Sequence, residues 1–211
     1  MRLYDYAASG NCYKARLLLA LLARPYERVA IDIFAGETLT GEFAAINPAR
    51  ETPVLELDDG TMLTQSNAIL WYLAEGTPFL PATRLQRGQI VGWLMFEQEY
   101  VISGIAAPRF WLMTGRGDGA TLAARQDRGR ATLARLGEHL QQREFLLDAF
   151  SIADIAVFAY THVASEAGIA LADYPAVTEW VSRLEGQPRF VNDFVPYPEN
   201  ATAGSSHSIY D

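Results

Sequence analysis

The sequence predicts an α/β N-terminal half followed by an all-α C-terminal half. Two observations carry that division. Up to residue 76, short alternating runs and turn signals alternate with leucine- and alanine-rich helical stretches. Beyond about Thr83 the strand signals stop, and only helical periodicity remains.

The elements follow in order. Leu3 to Ala7 alternates and carries tyrosines, which reads as a strand. Ser9-Gly10-Asn11 breaks it, and a helical stretch runs from about Tyr13 to Ala23 until Arg24-Pro25 stops it. Tyr26 to Ile33 alternates again, and Gly41 to Ile46 forms a short helix ended by Asn47-Pro48. Pro53 to Leu57 is a strand, Asp58-Asp59-Gly60 a hairpin turn with an Asp-Gly pair for positive φ, and Thr61 to Thr64 the partner strand. Ser66 caps a helix to about Glu75. The order is βαβαββα, a small mixed sheet with helices packed on it.

The expected domains are residues 1–76, a linker over 77–83, a helical bundle over 84–195 and a tail over 196–211. Within the bundle, Leu85 to Leu112 reads as one long helix kinked near Pro108. Thr121 to Gln142, Ser151 to Gly168 and Pro175 to Leu184 read as three more, with a short turn at Arg189-Phe190. The tail is polar and rich in Pro, Gly and Ser, which predicts a segment either mobile or packed on the body or a partner subunit.

Composition limits the function. The formal net charge of the 211 residues is -8, which disfavours nucleic acid and anionic membrane as partners. Cys12 is the single cysteine, so no intrachain disulfide can form, and a reducing compartment is expected. The N-terminus carries no basic-then-apolar leader pattern, and no apolar run reaches 18 residues. The cytoplasm is the expected location. Lys14 is the only lysine.

Three segments carry chemistry. Ser9-Gly10-Asn11-Cys12-Tyr13-Lys14 joins the first strand to the first helix. Backbone N–H groups and the positive end of the helix dipole suit an anion there, including a thiolate. Thioredoxin-like domains place Cys-x-x-Cys in this turn. Here Ser9-x-x-Cys12 keeps the spacing but replaces the first sulfur by a hydroxyl. That hydroxyl cannot form a disulfide, but it can donate to a thiolate that a ligand brings. Lowering a thiol pKa from about 8.5 by roughly two units corresponds to ~2.7 kcal/mol of differential stabilisation. Plain N-capping by Ser9, with Asn11 a turn residue, is the competing reading.

The second segment is Asn47-Pro48-Ala49-Arg50-Glu51-Thr52-Pro53-Val54. If Pro53 is cis, Thr52 offers its backbone to an extended peptide as to an added strand, whereas a trans proline merely starts a strand. The third is Gln65-Ser66-Asn67 before an apolar helix, either a cap alone or a carboxylate site.

In their joint order these motifs resemble the cytosolic glutathione transferase family, of bacterial type with a serine-type site. The likeness covers essentially the whole chain. It is carried by Ser-x-Asn-x-x-Lys, Asn-Pro followed by Thr-Pro-Val-Leu, Gln-Ser-x-Ala-Ile-x-x-Tyr-Leu, and Ser151-Ile152-Ala153-Asp154. The resemblance implies that Ser9 stabilises the glutathione thiolate and Asn11 assists or orients it. Thr52 pairs through its backbone with the cysteinyl part, with Pro53 cis, and Gln65 and Ser66 hold the γ-glutamyl end. The second substrate, a small hydrophobic electrophile, is placed on the long helix near Tyr100, Phe110 and Trp111; bundle core is the competing reading for each.

Two departures stand out. Glu51 occupies a position where many relatives carry a basic residue facing the glycine carboxylate, and Arg50 is the nearest substitute. Gln65 replaces an acidic residue that meets the ammonium in many relatives.

Glutathione is thus the expected co-substrate, a metal is not expected, and a homodimer is implied. The implied reaction is conjugation, of the detoxification kind. Glutathione-dependent disulfide reduction, cis–trans isomerisation, dehalogenation and a non-enzymatic binding or regulatory role are the alternatives. Ser151-x-x-Asp154 reads as a structural capping box, and His162 as a packing residue.

Overall fold

A computed structural model describes residues 1–117 and 119–210. It divides into two compact units, one of residues 1–73 together with residues from 191 onward, the other of residues 74–190. The first unit is the thioredoxin-like α/β domain and the second is all-helical.

In the first unit, β1 (Arg2–Asp5), β2 (Glu27–Ala30), β3 (Val54–Glu56) and β4 (Met62–Thr64) form a sheet of order β2-β1-β3-β4. β1 pairs parallel with β2 and antiparallel with β3, so it is central and buried: Leu3 is inaccessible and Asp5 nearly so. The β3–β4 hairpin turns through Asp59-Gly60, where Gly60 has φ 84° and donates to Leu57 O at 3.0 Å. One side of the sheet carries α2 (Gly41–Ile46), whose Phe43 packs with Tyr4 and Val54. α3 (Ser66–Ala74) follows the hairpin.

α1 (Gly10–Leu21) is buried on almost every face, its polar Lys14 and Arg16 included. The segment from Val191 onward explains part of this, because it lies along α1 as a strap. Tyr13 Oη donates to Val191 O at 2.7 Å, Arg16 Nε to Asp193 Oδ1 at 2.9 Å, and the Tyr13 and Phe194 rings meet at 5.5 Å. Further on, Asn200 Nδ2 donates to Asp32 Oδ2 at 2.8 Å and His207 N to Phe34 O at 2.8 Å. The polar residues from 196 to 210 belong to a packed segment, held by Val191 and Asp193 ahead of it and by Asn200 and His207 within it.

In the second unit, α4 (Arg84–Phe96), a ten-residue π-helical segment (Glu97–Ala106) and α5 (Ala107–Thr114) run on continuously. The expected irregularity near Pro108 therefore takes the form of a π segment ahead of it, with Pro108 in the first turn of α5. Pro108 lacks the N–H that an α-helix would direct at Gly104 O. That carbonyl instead faces Gly129 on α6 (Gly119–Leu140), so closely that a Cβ at Gly129 would overlap it.

α7 (Ile152–Thr161) is buried throughout, and α8 (Pro175–Glu185) completes the unit. The Ser151–Asp154 capping box is formed in both directions. Asp154 also accepts from Leu146 N at 2.9 Å and Trp180 Nε1 at 3.0 Å, which ties α7 to the preceding loop and to α8.

Candidate active site

Ser9 is the N-cap of α1, in extended backbone (φ -87°, ψ 122°), and its Oγ accepts from Cys12 N at 3.3 Å. The hydroxyl stands at the positive end of a twelve-residue helix and carries one hydrogen that it can donate. Cys12 lies beneath. Its thiol is fully buried, accepts from Tyr6 N at 3.3 Å, and is bonded to the side chains of Ser9 and Thr52. Burial first, and the Asp5 carboxylate second, push this thiol up to about 11, so it stays protonated and is no nucleophile at neutral pH. Cys12 thereby links Ser9 to Thr52, a contact across 43 residues of sequence.

Thr52 precedes β3, and the Thr52–Pro53 peptide bond is cis. Among the described residues no backbone hydrogen bond uses the Thr52 N–H or C=O, so that edge is open to an extended ligand.

Ser66 opens α3 and is buried. Its Oγ donates to Asn11 Oδ1 at 3.3 Å. Lys14 Nζ sits at the centre, donating to Asn11 Oδ1 (3.0 Å), Ser66 Oγ (3.2 Å) and Asn67 Oδ1 (3.3 Å). The lone lysine, silent in the sequence reading except as part of a motif, is the clasp between the first and third segments. Gln65 stands exposed in the left-handed region (φ 70°), its Nε2 3.4 Å from Glu51 Oε2.

Ser9, Asn11, Thr52, Pro53, Gln65 and Ser66 thus all belong to this one connected region. Arg50 does not turn toward it. Its guanidinium donates to the carbonyl oxygens of Leu39 and Thr38, and its backbone is left-handed (φ 59°).

Tyr100, Phe110 and Trp111 lie in the helical unit, each under arginine. Tyr100 meets Phe96 at 5.1 Å and is flanked by Arg128 and Arg135. Arg116 lies over Phe110 at 5.2 Å and Arg125 over Trp111 at 4.7 Å. Phe96 and Arg135 also line a cavity of about 290 Å³ with Gln89, Gly92, Trp93 and His139.

The arrangement of turn, open edge and helix N-terminus meets a family match. The family model described as glutathione S-transferase, N-terminal domain, matches residues 8–75, and the one described as glutathione S-transferase, C-terminal domain, matches residues 119–183. The chain belongs to the glutathione S-transferase family. Among curated relatives, it is 30% identical over 201 residues to a maleylacetoacetate isomerase of Rhizobium meliloti, covering 89% of this chain and 92% of that one. Among solved structures, it is 42% identical to a glutathione S-transferase of Pseudomonas fluorescens Pf-5 (TM-score 0.88, covering 92% of this chain and 98% of that chain). It is 27% identical to a glutathione transferase of Burkholderia graminis solved with two glutathione molecules per subunit (TM-score 0.79, covering 89% and 84%). Within the glutathione S-transferase frame, Lys14 and Cys12 stood in the sequence motifs without a role of their own at the site, and the packing of the tail was one of the readings left open. The isolation of Lys14 within Ser-x-Asn-x-x-Lys was the one available signal.

Proposed function

We propose that this protein is a glutathione transferase, joining the thiolate of glutathione to the electrophilic carbon of a small hydrophobic molecule. One observation carries the reading: Lys14 binds Asn11, Ser66 and Asn67 together, so the thiolate-stabilising turn and the carboxylate-binding helix start form a single site. The residues present fit a thiol peptide. Ser9 Oγ donates to the sulfur, and the α1 N-terminus adds its partial positive charge. The Thr52 backbone pairs with the cysteinyl residue. Ser66, with the first turn of α3 and the Lys14 charge behind it, takes the γ-glutamyl carboxylate. The bound thiol supplies the nucleophile; the chain holds it ionised and oriented.

No helix among the described residues is long and apolar enough to cross a membrane. A cytoplasmic homodimer is part of the proposal. Leu85 and Met95 on α4, 73% and 63% exposed, are the apolar residues a partner subunit would cover.

The test is conjugation of an aryl halide. Ser9→Ala is expected to lower kcat/KM about 100-fold, the scale of a lost donor to a reacting anion, while the melting temperature shifts only as a lost N-cap does, about 1 kcal/mol. Equal turnover in variant and wild type would remove Ser9 from the mechanism.

A second reading is cis–trans isomerisation with the same bound thiol adding to, then leaving, a double bond. It is favoured by the isomerase relative matched over nearly the full chain. Turnover of maleylacetoacetate exceeding that of any aryl halide would establish it over conjugation. A model disulfide in the same assay series tests the reductase alternative.

A further inference from the structure

Ser9 ends a four-residue turn, Tyr6-Ala7-Ala8-Ser9, between β1 and α1. The turn closes through Ser9 N, which donates to Tyr6 O at 3.0 Å, and Tyr6 N donates in turn to Cys12 Sγ at 3.3 Å. The two backbone groups of Tyr6 thus hold both ends of Ser9-x-x-Cys12. Where the Ser9 hydroxyl stands depends on where this turn stands.

The strap reaches the turn at two points. The first is aromatic. The Tyr197 ring packs on Tyr6 at 6.4 Å and on Phe34 at 6.2 Å, and Phe34 meets Tyr6 edge-on at 5.6 Å. Tyr6 and Phe34 are buried in this cluster. The strap is clipped in place beyond it, by Asn200 Nδ2 on Asp32 Oδ2 and His207 N on Phe34 O, both at 2.8 Å. The second point is polar. Arg16 Nε donates to both Asp193 carboxylate oxygens, at 2.9 and 3.0 Å, and Arg16 Nη2 donates to Ala7 O at 3.0 Å. Tyr6 and Ala7, the first two residues of the turn, are therefore each tied to the strap by a separate route.

We propose that the strap positions the catalytic hydroxyl: Tyr197 acting through Tyr6, and Asp193 acting through Arg16 and Ala7, hold Ser9 against the sulfur of the bound thiol. The inference rests on the thiol reading of Ser9. Thr52 and Ser66 grip the peptide without the strap, so its contribution falls on ionisation of the thiol and not on affinity.

The test is the pH titration of glutathione bound to the full chain, read by thiolate ultraviolet absorbance, with kcat and KM for an aryl halide. Tyr197→Ala should raise the bound thiol's pKa by about one unit, so that kcat at neutral pH falls up to about tenfold and recovers at alkaline pH. KM for glutathione should stay nearly unchanged. Tyr197→Phe keeps the ring and should keep the wild-type titration. Asp193→Ala, which leaves the ring cluster in place, should shift the titration the same way and less far, because Arg16 keeps Asp5. Added to Ser9→Ala, Tyr197→Ala should cause no further shift, since both act through one hydroxyl. An unmoved titration in both strap variants, with only the melting temperature lowered, makes the strap a structural cover and overturns the proposal while Ser9 stands. A further shift in the double variant also overturns it, and Tyr197→Phe behaving as Tyr197→Ala overturns the aromatic route. An unmoved titration in Ser9→Ala itself overturns the thiol reading, and the proposal with it.

Discussion

Lys14 Nζ stands 3.2 Å from the hydroxyl of Ser66, joining two segments 52 residues apart. The ammonium is fully buried, and it also donates to the side-chain oxygens of Asn11 and Asn67. A buried cation held this way costs solvation, which its hydrogen bonds offset only when all are made.

Lys14→Met removes three donors at once and leaves Asn11, Ser66 and Asn67 to rearrange. Each oxygen left without a donor costs about 1–3 kcal/mol, so a clear fall in melting temperature is expected. Glutathione affinity should fall at least tenfold, read by calorimetry below the unfolding range. An unchanged affinity in the folded variant would confine Lys14 to structure. Reductive methylation of the native protein should modify the N-terminus quickly and Lys14 only after unfolding.

A second expectation concerns pH. Burial raises the Asp154 carboxyl to about 6 and lowers His162 to about 4. His162 stacks on Phe158 at 4.5 Å, one turn along the helix that Asp154 caps. The signs are opposite. Asp154 binds its proton more tightly when folded, so its stabilising contribution is complete at acid pH and is withdrawn as pH rises through about 6. His162 binds its proton more weakly when folded, so its contribution is complete above about 6.5 and lost as pH falls toward 4. Each shift of roughly two units corresponds to about 3 kcal/mol, and the two nearly cancel. Urea unfolding at pH 4.5 and 6.5 separates them: Asp154→Asn should lose stability on acidification, whereas His162→Phe should gain it. Parallel slopes in the two variants would contradict the assignment.

The strap gives a third. Arg16 is buried between Asp5 and Asp193, and Arg28 reaches both acids. Asp193 is 40% exposed, so solvent screens its share and Arg16 keeps Asp5. Asp193→Ala should therefore cost only about 1–2 kcal/mol while loosening the segment beyond Phe190. Limited proteolysis should cleave that segment several-fold faster than in wild type, with the remainder intact. Equal cleavage rates would mean that Tyr13, Phe34 and the aromatic contacts hold the strap without the ion pair.

The sequence by itself determined the features that depend on neighbours a few residues apart. Asp59-Gly60 sets the hairpin because glycine accepts φ 84° without strain. Ser151 and Asp154 cap α7 because a helix start leaves N–H groups unpaired. Ser9, Thr52 and Ser66 were legible as separate motifs for the same reason. Tertiary structure decided what joins them. The Cys12 thiol touching both Ser9 and Thr52, Lys14 bonding Asn11 to Ser66, and Arg50 turning to the Leu39 carbonyl are contacts between segments far apart in sequence. The strap is the clearest case. Its polar composition left open a mobile tail or one packed on the body or a partner, and Arg16 and Phe34, buried by the fold, present the charge and the apolar surface that Asp193, Tyr197 and Tyr210 meet. Local propensity reports the conformation a segment prefers; which surface it finds depends on the assembled core.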